Sequence, residues 1–333
     1  MLELHVGKVR LKDARHRLSP EARGLEHVRL VDRGHPAPPA SGELPGFPGH
    51  PLDLGGGIAA RVERLEPAAR KRPAWADAPG SIRAQLADDG ALMRDGQVTP
   101  DGFAINTSYT INSPHPASVT DKNLLVPEQT APTIGDRLSD QNVSWAWYSG
   151  GWNTAVLGHA GPLFQFHHQP FAYYANFADG TPGRADHLKD EQDFYTDVVG
   201  GKLPAVTFIK PLGPDNEHPG YATLLTGQQH VADLVSTIQN SKYWSDTAII
   251  ITYDEHGGRW DHVAPPVIDK WGPGLRVPTI VISPFAKKGF VDHTQYDTTS
   301  ILKLIEARWN LQPLGTRDAA TGDLSTAFDF SQG

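Results

Sequence analysis

An α/β protein, with strands and helices alternating along the chain, is predicted by this sequence, on three observations. From Pro73 onward, short β-branched runs alternate with runs of helical period. Two stretches, residues 248–252 (AIIIT) and 277–283 (VPTIVIS), are continuous apolar strands of the kind buried on both faces. The connections between these runs are rich in Gly and Pro. In chain order, residues 133–141 (TIGDRLSDQ) read as a capped amphipathic helix, with Thr133 as N-cap, Asp136 at the third helical position, and Ile134 and Leu138 on one face. Residues 143–148 (VSWAWY) and 203–209 (LPAVTFI) read as strands. Residues 227–239 place Val231, Leu234, Val235 and Ile238 at helical spacing and lead into the 248–252 strand. The 277–283 strand follows, and residues 300–309 form a last helix with Ile301, Leu304 and Ile305 on one face.

Composition narrows the function. The 333 residues are 39% hydrophobic, enough for a full core, and carry a net charge of −8 with both signs mixed along the chain. There is no basic stripe to follow a phosphate backbone, so nucleic acid is not an expected partner. With no cysteine, a thiolate nucleophile and a thiolate metal site are both excluded, and any metal must be held by oxygen and histidine. No apolar run reaches the roughly 18 residues of a membrane span, and residues 1–10 do not lead into the apolar stretch of an export signal. Localisation is left open.

Residues 1–72 stand apart. They hold one aromatic residue, Phe47, and no Thr, Asn or Gln, while all eight Trp and all nine Tyr follow. Such a segment buries little surface to offset its ordering entropy, and it is expected to be poorly folded or loosely attached. A natural Pro/Gly-rich extension and an out-of-frame reading of GC-rich DNA both give this composition. The chain therefore divides, on sequence, into residues 1–72 and 73–333.

The chemistry concentrates in residues 249–266 (IIITYDEHGGRWDHVAPP), where an apolar strand runs directly into Asp254 and Glu255, then His256, a Gly-Gly turn, Asp261 and His262. In open α/β sheets, ligands sit beyond the carboxyl ends of strands. Two adjacent carboxylates there are costly to ionise without a compensating cation, and a divalent metal is the economical partner. A solvated acidic loop with incidental histidines is the alternative for a bare Asp-Glu-His triplet. The apolar strand before it and the paired glycines after it favour a site. Trp145, Trp147, Tyr148 and Trp152 are read as core and cleft wall, and Lys287 and Lys288 as a solvated pair.

The YDEHGGRWDHVAPP stretch resembles the signature of the phosphoesterase family that includes bacterial acid phosphatases and non-haemolytic phospholipases C. Residues 215–221 (DNEHPGY), 133–152 (TIGDRLSDQNVSWAWYSGGW), 164–171 (FQFHHQPF) and 273–290 carry the same resemblance in family order. The Gly-Trp and His-His-Gln-Pro-Phe motifs look more like the acid phosphatase branch. The resemblance implies an alkaline-phosphatase-like fold, a mostly parallel sheet flanked by helices, here incomplete, with a divalent metal at the strand ends, and a small phosphate ester or a phospholipid head group as partner. It implies Asp254 and Glu255 as metal carboxylates and His218 as an active-site histidine, with His168 a second and His167 its near alternative. His256, Asp261 and His262 are expected to orient these groups. Asp292, His293 and Asp297 are given no role. The family's N-terminal Glu-Asn-Arg-Ser-type motif and its Ser or Thr nucleophile have no match in residues 1–72, so the nucleophile is unassigned. A non-catalytic fragment that binds metal or phosphate without turnover is the alternative expectation. Family members are often exported.

Overall fold

The computed structural model describes residues 109–122, 125–218, 222–257, 259–268 and 272–331, and elsewhere the backbone of three short strands. Two compact units divide the chain, one made of Met1–Leu18 and Ser108–Gly333 and the other of Ser19–Thr107. The change of composition at Arg72 lies outside the described residues. The first unit begins with strand β1 (Leu2–Glu3). In the second unit, β2 (Gln85–Leu86) and β3 (Leu92–Arg94) form an antiparallel pair.

The rest of the first unit is the α/β body. Strands β4 (Tyr109–Thr110) and β5 (Leu125–Val126) pair in parallel. Helix α1 (Ile134–Asp140) starts as expected at a capping box: Thr133 Oγ1 accepts from the Asp136 N–H at 3.2 Å, and the Thr133 N–H donates to Asp136 Oδ2 at 2.7 Å. Its buried Leu138 and Gly135 lie on β6 (Trp145–Ser149), and a Cβ on Gly135 would come within 2.3 Å of the Trp145 ring. Helix α2 (Trp152–Val156) follows, then α3 (Pro182–His187), β7 (Leu188–Asp190), α4 (Glu191–Val199) and β8 (Val206–Lys210). Strands β7, β6 and β8 form a parallel sheet in that order, with Ser149 of β6 opposite Asp190 on one side and Lys210 on the other. Both hydrogen-bonding edges of β6 are thus used, and all five of its residues are buried.

Helix α5 (Leu224–Gln239) leads to β9 (Ile249–Tyr253), then β10 (Thr279–Ile282), α6 (Thr299–Trp309) and α7 (Thr316–Ala320). Strand β9 is flanked by β1 and β10, both antiparallel to it. The apolar run at 248–252 correctly marks a buried strand, but apolarity alone does not fix the direction of its partners. The expectation that 277–283 is buried on both faces needs correction. Ile280 is 55% exposed, because among the described strands β10 pairs only with β9 and forms that sheet's margin.

Alternation along the strands sorts their side chains into two cores. Trp145, Trp147, Val206, Phe208 and Ile250 meet Ile301, Leu304 and Ile305 of α6 on one face. Ala146, Tyr148, Ile209, Ile249 and Ile251 meet Phe194 of α4 and Leu234 and Ile238 of α5 on the other. This is the helix-flanked α/β layering predicted from sequence. Each fully buried Ile or Leu contributes on the order of 1.5–3 kcal/mol. The aromatic cluster is core as expected, with Trp145, Trp147, Tyr148 and Trp152 each no more than 6% exposed.

Polar bonds fasten the helices to this frame. Tyr148 Oη donates to Asp197 Oδ2 at 2.7 Å, and Lys189 Nζ reaches the same oxygen at 3.0 Å, tying α4 to β6 and β7. His230 Nε2 of α5 lies 2.5 Å from Glu191 Oε1 of α4. Burial works to lower the His230 pKa, but the hydrogen bond and charge of Glu191, with the charges of Asp215 and Asp233, raise it on balance. At the C-terminal end, Asp318 accepts the Leu314 and Gly315 N–H groups at 2.6 and 2.8 Å, and its carboxyl also meets that of Glu306. Burial and Asp318 raise Glu306 to about 7. Asp318 is lowered: burial works the other way, and the Glu306 hydrogen bond and these backbone donors outweigh it.

Candidate active site

The residues singled out by sequence come from the loops that leave the carboxyl ends of β8 and β9, joined by a short turn from the β6 side. Strand β8 ends at Lys210, whose side chain is 2% exposed, and its Nζ lies 3.2 Å from Oδ2 of Asp254, the first residue past β9. Pro211, next in the chain, accepts a hydrogen bond from His168 Nδ1 at 3.2 Å. A carbonyl oxygen only accepts, so Nδ1 carries the proton. His168 is 3% exposed and sits in a 3₁₀ turn (Phe166–His168), and Trp147 Nε1 of β6 donates to its carbonyl at 2.7 Å. His167 adjoins it with ring centroids 4.7 Å apart, and is half-buried.

His218 follows the same β8 exit. Asn216 Oδ1 accepts the His218 N–H at 3.0 Å, and Glu217 between them holds a positive φ of 59°. Tyr253 Oη, at the end of β9, donates to Glu217 Oε2 at 2.5 Å. Gly227 of α5 makes room for this arrangement, since a Cβ there would meet Glu217 Cγ at 2.2 Å. Burial, the Glu217 hydrogen bond and its charge raise the Tyr253 pKa, so this phenol stays protonated and donating.

Bonds or chain adjacency therefore link His168 to Pro211, Lys210 to Asp254, and, through Tyr253 and Glu217, Asp254 back to His218. Sequence reasoning found three members of this run, His168, Asp254 and His218, and missed Lys210, Glu217 and Tyr253. The signal for Lys210 was a charged residue closing an apolar strand, VTFIK, one position beyond where the predicted strand stopped.

The other expected residues lie in the neighbouring loop. Glu255 is exposed and accepts the Gly257 N–H at 2.6 Å. His256 is half-buried, and its Nδ1 is shielded without a hydrogen-bond partner among the described residues. Asp261 forks onto Arg276 at 2.7 and 2.9 Å and accepts the Val263 N–H at 3.0 Å, and His262 is 86% exposed beside it. Arg276, followed by the Val263 N–H, holds the Asp261 carboxyl well below the usual range. Lys287 and Lys288 are exposed, as expected of a solvated pair. Asp297 caps the start of α6 through the Thr299 N–H at 2.8 Å, and Asp292 accepts from Tyr296 Oη at 3.1 Å.

Among the described residues, no group of three or more Asp, Glu or His gathers where a metal would need them. Asp254 already faces an ammonium, and Glu255 accepts the Gly257 N–H. These residues alone do not fit a divalent metal.

A family model for the Phosphoesterase family matches residues 81–312, more than half of the chain. This chain belongs to the phosphoesterase family. It is 31% identical over 229 residues to phospholipase C B of Mycobacterium tuberculosis, covering 59% of this chain and 43% of that protein. It is 36% identical over 169 residues to the non-hemolytic phospholipase C of Burkholderia pseudomallei, covering 40% and 24%. With the non-specific phospholipase C6 of Arabidopsis thaliana it shares 33% over 159 residues, 38% of this chain and 30% of that one. The chain spans less than half the length of these curated relatives. All three are named phospholipases C.

Proposed function

We propose that this phosphoesterase family member hydrolyses phosphate esters, with His168 and His218 serving the phosphoryl group and Asp254 and Glu255 as the carboxylates beside it. The observation that carries this reading is the run of bonds tying both histidines and Asp254 to the exits of β8 and β9. Ester hydrolysis needs donors for the phosphoryl oxygens and a proton for the leaving oxygen. His168, held through Nδ1 by the Pro211 carbonyl, and His218 supply two imidazoles for this role. Metal dependence is part of the same proposal, following from the family resemblance. Asp254 and Glu255 are the residues that would hold the ion, with Lys210 beside Asp254.

Two substrates divide the proposal. The relatives' names favour a phospholipid phosphodiester, while the FQFHHQPF and Gly-Trp motifs favour a small monoester. The test is hydrolysis of a chromogenic phosphate monoester and of phosphatidylcholine vesicles by the full chain, with chelator or added divalent metals, beside His168→Ala and His218→Ala. Loss of roughly 10²-fold or more in kcat from each histidine is expected, in line with general acid–base contributions. Turnover unchanged by both substitutions would remove them from the mechanism.

A second reading, a non-catalytic fragment or pseudoenzyme that binds metal or phosphate without turnover, is supported by the absence of a cluster of three or more metal ligands among the described residues. Saturable phosphate binding in a folded sample that hydrolyses neither ester would select it.

A further inference from the structure

We propose that the buried pair of His230 and Glu191 is a latch that positions the loop carrying His218, and so acts on the reaction through that histidine without touching the substrate. Its bearing on catalysis rests on the hydrolysis reading; its hold on the loop does not. The loop runs from the end of β8 at Lys210 to His218, and two close approaches frame it. At its start, a Cβ on Gly150, just past β6, would lie 2.6 Å from the Leu212 backbone nitrogen and 3.0 Å from Glu191 Oε2. Glu191, the first residue of α4, therefore sits against the point where the exits of β6 and β8 meet. At the other end, Gly227 of α5 faces the Asp215 carbonyl and the Glu217 side chain, and a Cβ there would meet that carbonyl at 3.1 Å. His230 lies about one turn further along the same face of α5 and closes the frame. Its Nε2 donates to Glu191 Oε1 at 2.5 Å, with the two side chains 18% and 6% exposed.

A carboxylate this buried is costly to strip of a donor, so the bond holds the start of α4 and the first half of α5 together around the loop. Further along, Leu234 and Ile238 of α5 pack with Phe194 of α4, an apolar contact that does not depend on His230. Loss of the imidazole should thus loosen the loop more than the sheet. Asp215 of the loop and Asp233 of α5 are the other acids whose charges reach His230; with Glu191 they raise its pKa against the opposing effect of burial. The Tyr195 phenol of α4 lies in the same field and is pushed up to about 12 by burial and then by Glu191, Asp233 and Asp215, so it stays neutral. The imidazolium attracts Asp215, and with it the loop, directly, and this attraction fades as pH rises through the raised His230 value.

The experiment compares wild type, His230→Ala and His230→Gln as full chains, by hydrogen exchange with mass spectrometry and by hydrolysis of a chromogenic phosphate monoester and of phosphatidylcholine vesicles. In His230→Ala, amides within residues 212–218 should exchange at least about tenfold faster, and accelerate more than those of β6 and β9. For the ester that wild type turns over, kcat should fall about tenfold or more with KM within about threefold of wild type, because a misplaced group slows the step it serves. His230→Gln keeps an N–H for Glu191 and should restore most of both. Equal acceleration in loop and strands, the mark of lost stability alone, overturns the latch, as does an unchanged loop or an unchanged kcat. A wild type that hydrolyses neither ester refutes the hydrolysis reading, and the exchange comparison then decides the latch by itself. Should His230→Ala fail to fold, wild type supplies a second measurement. Corrected for intrinsic exchange rates, the protection of residues 212–218 should fall between about pH 6 and pH 9 by more than that of β6. Protection that stays level across that range refutes the latch.

Discussion

Replacing Glu306 by Gln should flatten the pH dependence of stability between about pH 5 and 8. Glu306 and Asp318 are 3% and 4% exposed and meet carboxyl to carboxyl, so the contact needs one shared proton. The raised Glu306 pKa, about 7 against an ordinary 4.5, means that the folded chain holds this proton where the unfolded chain has released it. Its stabilisation is complete below about pH 4.5 and is lost as pH rises through about 7. Asp318, lowered, acts with the opposite sign, and its contribution is lost only as pH falls through its depressed value. A displacement of the Glu306 size is worth about 3 kcal/mol in the fully buried limit, and solvent screening near the surface reduces this to about 1–2 kcal/mol. An amide at position 306 keeps a donor for Asp318 without titrating. Glu306→Gln should therefore be close to wild type at pH 5 and more stable by about 1–2 kcal/mol at pH 8, read by urea denaturation with circular dichroism. Parallel profiles for the two proteins across that range would refute the shared proton. The comparison with wild type is essential, since His230, its pKa raised, adds a pH dependence of its own to both proteins.

That histidine supports a second prediction. Because the His230 pKa is raised, its pairing with Glu191 stabilises the fold fully below the ordinary value of 6.5 and fades as pH rises through the raised one. His230→Ala should then cost more stability at pH 6 than at pH 9, measured by the same denaturation. Gly135→Ala should destabilise by about 1–3 kcal/mol, since its Cβ would be forced into the Trp145 ring; an unchanged melting temperature would show that α1 shifts freely. Tyr148→Phe removes one of two donors to buried Asp197 and should cost about 1–2 kcal/mol in thermal melts, with Lys189 retaining the carboxylate.

Elements whose signal is local were legible in the sequence. The capping box of α1 uses Thr133 and Asp136, three residues apart, and it appears in the structure as read. The 143–148, 203–209 and 248–252 strands all exist within a few residues of their expected bounds. Properties that depend on distant partners were not legible. An apolar run such as AIIIT carries no mark of parallel or antiparallel pairing, and VPTIVIS no mark of a margin position. The candidate site divides in the same way. Asp254 and His218 stand in compact motifs, whereas Lys210 gains its role only when β8 and β9 bring its ammonium to a carboxylate 44 residues away. The positive φ of Glu217 gave no sequence signal either, since Glu is not a residue that favours that region.

The bond from Tyr253 to Glu217 has a mechanical consequence. It joins the residue before Asp254 to the residue before His218, leaving both of those side chains outside the knot. The two loops then behave as one hinged plate, and a force applied to His218 is transmitted to Asp254 through two peptide units and one short hydrogen bond. Any molecule gripped by the imidazole would tug on the carboxylate before touching it, and cutting the phenol's tether would leave the Lys210–Asp254 pair to couple the two strand ends.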